Sequence, residues 1–154
     1  MESSERASLL ERYRDGYRAV EEALGGITEA ELDERPADGW TPREIVHHLA
    51  DSEMTSAIRL RRLIAEDSPE IAGYDEAEFA RRLHYGDRAI GASLAALRAA
   101  RLTTAEIVER LTEEEWQRAG QHGESGRYSV EDWLQIYAAH GHDHAEQIRC
   151  ARAG

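Results

Sequence analysis

The stretch WTPREIVHHLADSEM, residues 40–54, decides how the rest of the chain is read. Thr41 is a helix-capping residue type, and Pro42 suits a first helical position because its missing N–H would have no partner there. Glu44 completes a capping box with Thr41. A helix is therefore predicted from Pro42. Ile45, Val46, Leu49, Ala57 and Leu60 follow at helical spacing, the stripe of an amphipathic helix, and carry it to about Glu66. His47 and His48 flank that stripe about 100° apart, and periodicity does not choose between them.

Downstream, Asp67 to Gly73 holds Pro69 and Gly73 and reads as a connection, followed by a short helix in YDEAEFARRL. A third long helix is expected over roughly residues 87–111, where Ile90, Leu94, Leu97, Arg101, Ile107, Val108 and Leu111 keep a helical rhythm. Thr103-Thr104 marks a break in it or a second cap near Ala105. Gly120 to Gly126 reads as a polar loop. Ser129, with Glu131 and Asp132 behind it, starts a fourth helix that runs to about Ala151. Upstream, Leu9, Leu10, Tyr13, Tyr17, Val20 and Leu24 write a first helix from about Ser4 to Leu24, closed by Gly25-Gly26. ITEAELDERPADGW then gives a turn of helix and a loop.

No segment alternates in the manner of a strand for long enough to compete, so the expected fold class is all-α, a four-helix bundle in one domain spanning residues 1–154. An internal echo accompanies it. ITEAELDER before the second helix resembles LTEEEWQR before the fourth, and Trp40-Thr41 is matched by Tyr128-Ser129 at the two helix entries.

Composition narrows the function. A formal net charge of −12 opposes binding to nucleic-acid phosphates or anionic lipid. All nineteen basic side chains are arginine, a bias of composition that carries no chemistry. No run of eighteen apolar residues occurs, and the opening MESSERASLLERYRDGYRAV is charged throughout, so a cytoplasmic protein is expected. Cys150 has no partner for a disulfide and no base beside it that would make it a nucleophile.

The histidines carry the information. On the fourth helix the apolar face is written by Val130, Trp133, Tyr137 and Ile148, and His140 and His144 project within it. A lone histidine on such a face is more often a hydrogen-bonded core residue. Two of them one turn apart, roughly 6 Å in rise, form a chelating pair for a metal. His142 lies roughly 200° around the helix from His140 and is assigned to the surface. His84 and His122 fall outside both clusters.

WTPREIVHHLADSEM (40–54), IRLRRLIAEDSPEIAGYDEAEFA (58–80) and YAAHGHDHAEQI (137–148) resemble the DinB superfamily, in particular its YfiT-like branch. The resemblance implies a four-helix bundle whose metal takes one histidine from the second helix and two from an H-x-x-x-H on the fourth. By motif these are His48, His140 and His144. His47 then becomes a neighbour, read as pairing with Asp51 one turn along. His122, in GQHGESG, falls in a loop resembling the family's HPE-x-G segment, and is read as a solvated histidine or one bordering the site. Family members are often homodimers, and a homodimer is expected here.

Three protein ligands leave a coordination position open, which favours catalysis over a structural role. Imidazole accepts zinc, nickel, iron and copper alike; zinc or nickel is expected, with iron admitted. The resemblance implies a low-molecular-weight-thiol S-transferase acting on a small molecule. The alternatives are a metal-dependent amide or ester hydrolase, or a non-catalytic, stress-associated metal-binding protein. Asp51, Glu53 and Asp143 lie near the ligands in sequence and are read as solvated charges or acceptors behind the ligands. Trp133, Tyr137, Ser52 and Arg59 are pocket-lining candidates, although aromatics at this spacing are more often core and Arg59 is read as paired at the surface.

Overall fold

The structure is a computed structural model and describes residues 1–153. Four long helices dominate: α1 (Ser3–Ala23), α3 (Pro42–Ala65), α5 (Gly91–Val108) and α7 (Val130–Ala153). Shorter elements lie between them: α2 (Glu29–Leu32), β1 (Glu70–Ile71), α4 (Glu76–Arg82), α6 (Glu113–Trp116), β2 (Ala119–His122) and β3 (Gly126–Ser129).

The internal echo is structural. Thr28 with Glu31 and Thr112 with Glu115 form capping boxes that start α2 and α6, and Thr41 with Glu44 does the same for α3. At α7 the Ser129 hydroxyl accepts from the Asp132 N–H, while the Asp132 carboxylate accepts from the Ser129 N–H. Each box satisfies donors that a helix start otherwise leaves unpaired.

The buried apolar residues form two clusters. One holds Tyr13, Leu60, Leu63, Ala105, Val108, Trp133 and Leu134; the other holds Val20, Ile45, Val46, Leu49, Leu97, Ala145 and Ile148. The order in which each helix meets the clusters fixes its direction. α1 and α7 run from the first to the second, α3 and α5 from the second to the first. Like-directed helices therefore pack together as α1 on α7 and α3 on α5, and these are the two most extensive helix contacts. Because α3 and α5 are parallel and consecutive, the chain between them must travel back along a helix about 36 Å long, which explains a connection furnished with β1 and α4.

Between the clusters lies a polar layer containing Gly16, Glu53, Arg101, His140 and His144. There α1 and α7 touch backbone to backbone: a Cβ at Gly141 would sit 3.0 Å from the Gly16 carbonyl oxygen.

Two expectations are corrected. Gly120 to Gly126 is not a loop. β2 and β3 form an antiparallel hairpin with Gly120 opposite Tyr128, and β1 joins β2 in parallel register. The hairpin is too short and glycine-rich to show alternation; backbone pairing and burial of Ile71 and Tyr128 hold it instead. Gly120 is required there, since a Cβ would come 2.3 Å from the Pro69 carbonyl oxygen. The third helix, in turn, is shorter than expected but unbroken at Thr103-Thr104. Arg61 donates to both threonine hydroxyls, so they engage α3 rather than cap a new helix.

Candidate metal centre

His48 sits on α3 one turn into the second apolar cluster and is buried. His140 and His144 project from α7 and are half-buried. One ring nitrogen from each lies within 4.8 Å of those of the other two. The Nε2 atoms of His140 and His144 are 3.2 Å apart, close to the about 3.4 Å that separates two imidazole nitrogens bonded tetrahedrally to one zinc ion. Trp40, at the entry to α3, sets its ring edgewise on His48 at 4.9 Å, and Tyr137 does the same to His140 at 5.6 Å.

Burial shapes the protonation of the cluster. Desolvation, helped by the charge of His144, lowers His48 to about 4. Desolvation with the charges of His144 and His48 lowers His140 to about 3. His144 is lowered too, by desolvation that the acceptor Gln147 and the charges of Glu76 and Asp143 partly offset. All three are neutral at physiological pH, the form that binds metal.

His47 shows how a structural histidine is held. Its Nε2 donates to the Arg88 carbonyl at 3.1 Å, which leaves Nδ1 to accept from the Ser93 hydroxyl at 2.7 Å. Both nitrogens are used, so none remains for a metal. The expected pairing with Asp51 is not made, because Tyr85 donates its hydroxyl to that carboxylate instead. In the cluster, by contrast, His140 Nδ1 is buried without a partner. His144 Nδ1 meets the Gln147 side-chain oxygen at 2.7 Å, which makes Nδ1 the donor and frees Nε2. Such a contact orients metal-binding histidines. The donor set therefore fits a divalent ion.

Other expectations divide. His142 faces away from the cluster but is half-buried, its Nε2 donating to the Arg12 carbonyl at 3.0 Å across the α1–α7 seam. Glu53 is not a solvated charge. It is wholly buried, takes Arg101 Nη1 at 2.7 Å and accepts the Tyr13 hydroxyl. Burial pushes its carboxyl up, and Arg101 and Tyr13 pull it back. Asp143 is exposed, with Arg12 at 4.0 Å. Trp133 belongs to the core, its indole N–H donating to the Ser56 carbonyl at 3.1 Å. Arg59 is half-buried, donating to the Ala72 carbonyl rather than to a surface carboxylate. His84 is exposed, and His122 stands on β2 beside Tyr128, its Nδ1 accepting from the Glu124 N–H. Cys150 is exposed.

Residues 12–148 match the DinB superfamily. The chain belongs to the DinB superfamily. Among DinB relatives, a protein of Oceanobacillus iheyensis, OB0782, is 38% identical over 110 residues, covering 71% of this chain and 63% of its own length. YfiT of Bacillus subtilis is 31% identical over 131 residues, covering 84% and 74%. Both are provisionally named metal-dependent hydrolases. The solved structure of YfiT, described as an unusual four-helix bundle topology, superposes with a TM-score of 0.91 at 27% identity over 98% of this chain and 87% of that one. In this chain the paired helices run parallel, unlike neighbours in an up-down-up-down bundle. No helix among the described residues of this DinB chain is long and apolar enough to cross a membrane.

Proposed function

We propose that His48, His140 and His144 hold one divalent ion, zinc or nickel, and that the protein is a low-molecular-weight-thiol S-transferase. Bound there, the ion supplies positive charge that three neutral imidazoles leave uncompensated, which favours the ionised form of a thiol at its open position. The observation that carries the choice of a thiol over water is the disposition of the carboxylates. Among the described residues none hydrogen-bonds a ring nitrogen of the three histidines. Glu53 is committed to Arg101 and Tyr13, and Asp51 to Tyr85. A thiol, with a pKa near 8.5, ionises beside a cation without a neighbouring general base, whereas water starts at about 15.7, has further to fall, and gains from a positioned base.

One observation favours the second reading, a metal-dependent hydrolase. The charge of Glu76, at the start of α4, is felt at His144, and a carboxylate is the residue type that serves as a base for water. Metal content by mass spectrometry comes first: near-stoichiometric metal in wild type and in His142→Ala, and its loss in His48→Ala, His140→Ala and His144→Ala. The loaded protein is then assayed with a thiol panel and monochlorobimane, and separately with amide and ester substrates. Thiol conjugation abolished by His48→Ala and retained by Glu76→Gln supports the transferase. Hydrolysis lost in Glu76→Gln, without thiol conjugation, replaces it with the hydrolase. Loaded protein that turns over nothing leaves a storage role.

A further inference from the structure

Next to the histidine cluster lies a second set of polar groups that the ion does not account for. Arg59, on α3, donates from Nη2 to the Ala72 carbonyl at 2.6 Å, yet its Nε is buried and has no partner. Its guanidinium carbon lies 5.8 Å from the centre of the Tyr74 ring, and the Tyr74 hydroxyl is likewise buried and without a partner. Ser52 faces both the Tyr74 and Tyr137 phenols, and Arg59 also approaches Tyr137. Tyr137 is the residue whose ring abuts His140, so this group and the cluster share a wall.

Buried donors are nearly always satisfied, since an unpaired one has given up water without gaining a partner. Two on neighbouring side chains from different segments of the chain point to an acceptor that serves both. The chemistry specifies that acceptor. Arg59 Nε can only donate and belongs to a cation, the Tyr74 hydroxyl can donate as well, and no carboxylate among the described residues pairs with Arg59. A planar guanidinium edge matches a carboxylate, with phenol hydroxyls adding charge-assisted bonds. One positive charge in a chain of net charge −12 suits a singly charged group better than a phosphate dianion. Arg59 also borders a groove of about 420 Å³, whose wall includes the exposed Met54 and Ile58. An apolar portion of a ligand has a surface there.

We propose that Arg59, Tyr74, Tyr137 and Ser52 form a carboxylate-binding subsite beside the histidine cluster, so that the small-molecule substrate carries a carboxylate. The inference rests on the proposed site in placing the reacting group at the histidines, but the subsite is built from other residues and is testable without the metal. Glu76, two residues beyond Tyr74, adds a negative charge that opposes an anion there.

Isothermal titration of the protein with 3-mercaptopropionate, 2-mercaptoethanol and propionate tests it, on Zn²⁺-loaded protein of verified metal content and on metal-free protein. On loaded wild type, 3-mercaptopropionate is expected to bind roughly 10- to 100-fold more tightly than 2-mercaptoethanol. Arg59→Met removes that advantage while leaving zinc content and 2-mercaptoethanol affinity unchanged. Tyr74→Phe, a milder change that keeps the ring, removes part of it. If the carboxylate belongs to the electrophile rather than the thiol, propionate binds in an Arg59-dependent manner and 3-mercaptopropionate gains nothing over it. Propionate binding that depends on Arg59 in protein unable to take zinc sinks the metal reading and keeps the subsite. Carboxylate affinity unchanged in both variants, or inorganic phosphate preferred to propionate, overturns the proposal.

Discussion

Glu53 with Arg101, and His140 with His144, lie in the same polar layer between the two apolar clusters, withdrawn from water to different ends. Arg101 gives Nη1 to Glu53 at 2.7 Å, Nε and Nη2 to the Tyr13 carbonyl at 3.1 and 2.6 Å, and Nη2 also to the Tyr137 carbonyl at 3.1 Å. Glu53 takes a second donor from Tyr13. One guanidinium thus ties α5 to α1, α3 and α7. In the histidine set, His140 keeps one nitrogen without a partner and points the other at a second imidazole. A polar group that is buried and satisfied holds a fold together, whereas one that is buried and left open is held for something else.

Removing a member of each set separates the two roles. Arg101→Met leaves Glu53 buried without its cation and is expected to cost about 3–5 kcal/mol, read from urea denaturation. His48→Ala in metal-free protein strands no charge and is expected to cost only the cavity it leaves, about 1–2 kcal/mol. Equal losses in the two variants would erase the distinction.

Acid sharpens the same contrast, with a smaller effect. His48 and His140 take up protons at about 4 and about 3 in the folded state, but at about 6.5 once unfolded. Between those values the unfolded chain binds more protons. The stability of neutral burial is therefore complete above pH 6.5 and is lost as pH falls toward the folded values. Each imidazole contributes at most about 1.4 kcal/mol per pH unit. Urea midpoints of metal-free protein at pH 7 and pH 5 should differ less in His140→Gln than in wild type; identical differences would mean that His140 is not held neutral.

The smallest expected effect concerns Gln147. Gln147→Leu removes the acceptor that fixes the His144 tautomer and should weaken metal binding about 10-fold, by competition with a chromophoric chelator, with no change in stability. An unchanged affinity would mean that His144 needs no such partner.

The sequence carried some of this plainly. Capping boxes and the apolar stripe placed α3 to within a residue or two, and the i, i+4 spacing put His140 and His144 on one face. Gln147, three residues beyond His144 on that same face, was within reach of the same reasoning. His47 and His48 were separable only by resemblance, because what distinguishes them is Ser93 and the Arg88 carbonyl, more than forty residues away. The hairpin escaped because its strands are four residues each and paired through backbone. Glu53 looked like one acid among thirty-one, and only the packing of α5 against α3 reveals its partner.

The seam at Gly16 and Gly141 acts as a depth stop for the histidines that flank Gly141 on α7. Gly141 stands between the two candidate ligands of that helix, and its backbone already rests on that of Gly16, with no flexible side chain between to yield. A single methyl group at Gly141 would press the two backbones apart by a few tenths of an ångström and shift both imidazoles with α7 relative to His48. The bite of the cluster is gauged from the neighbouring seam, where two glycine backbones meet.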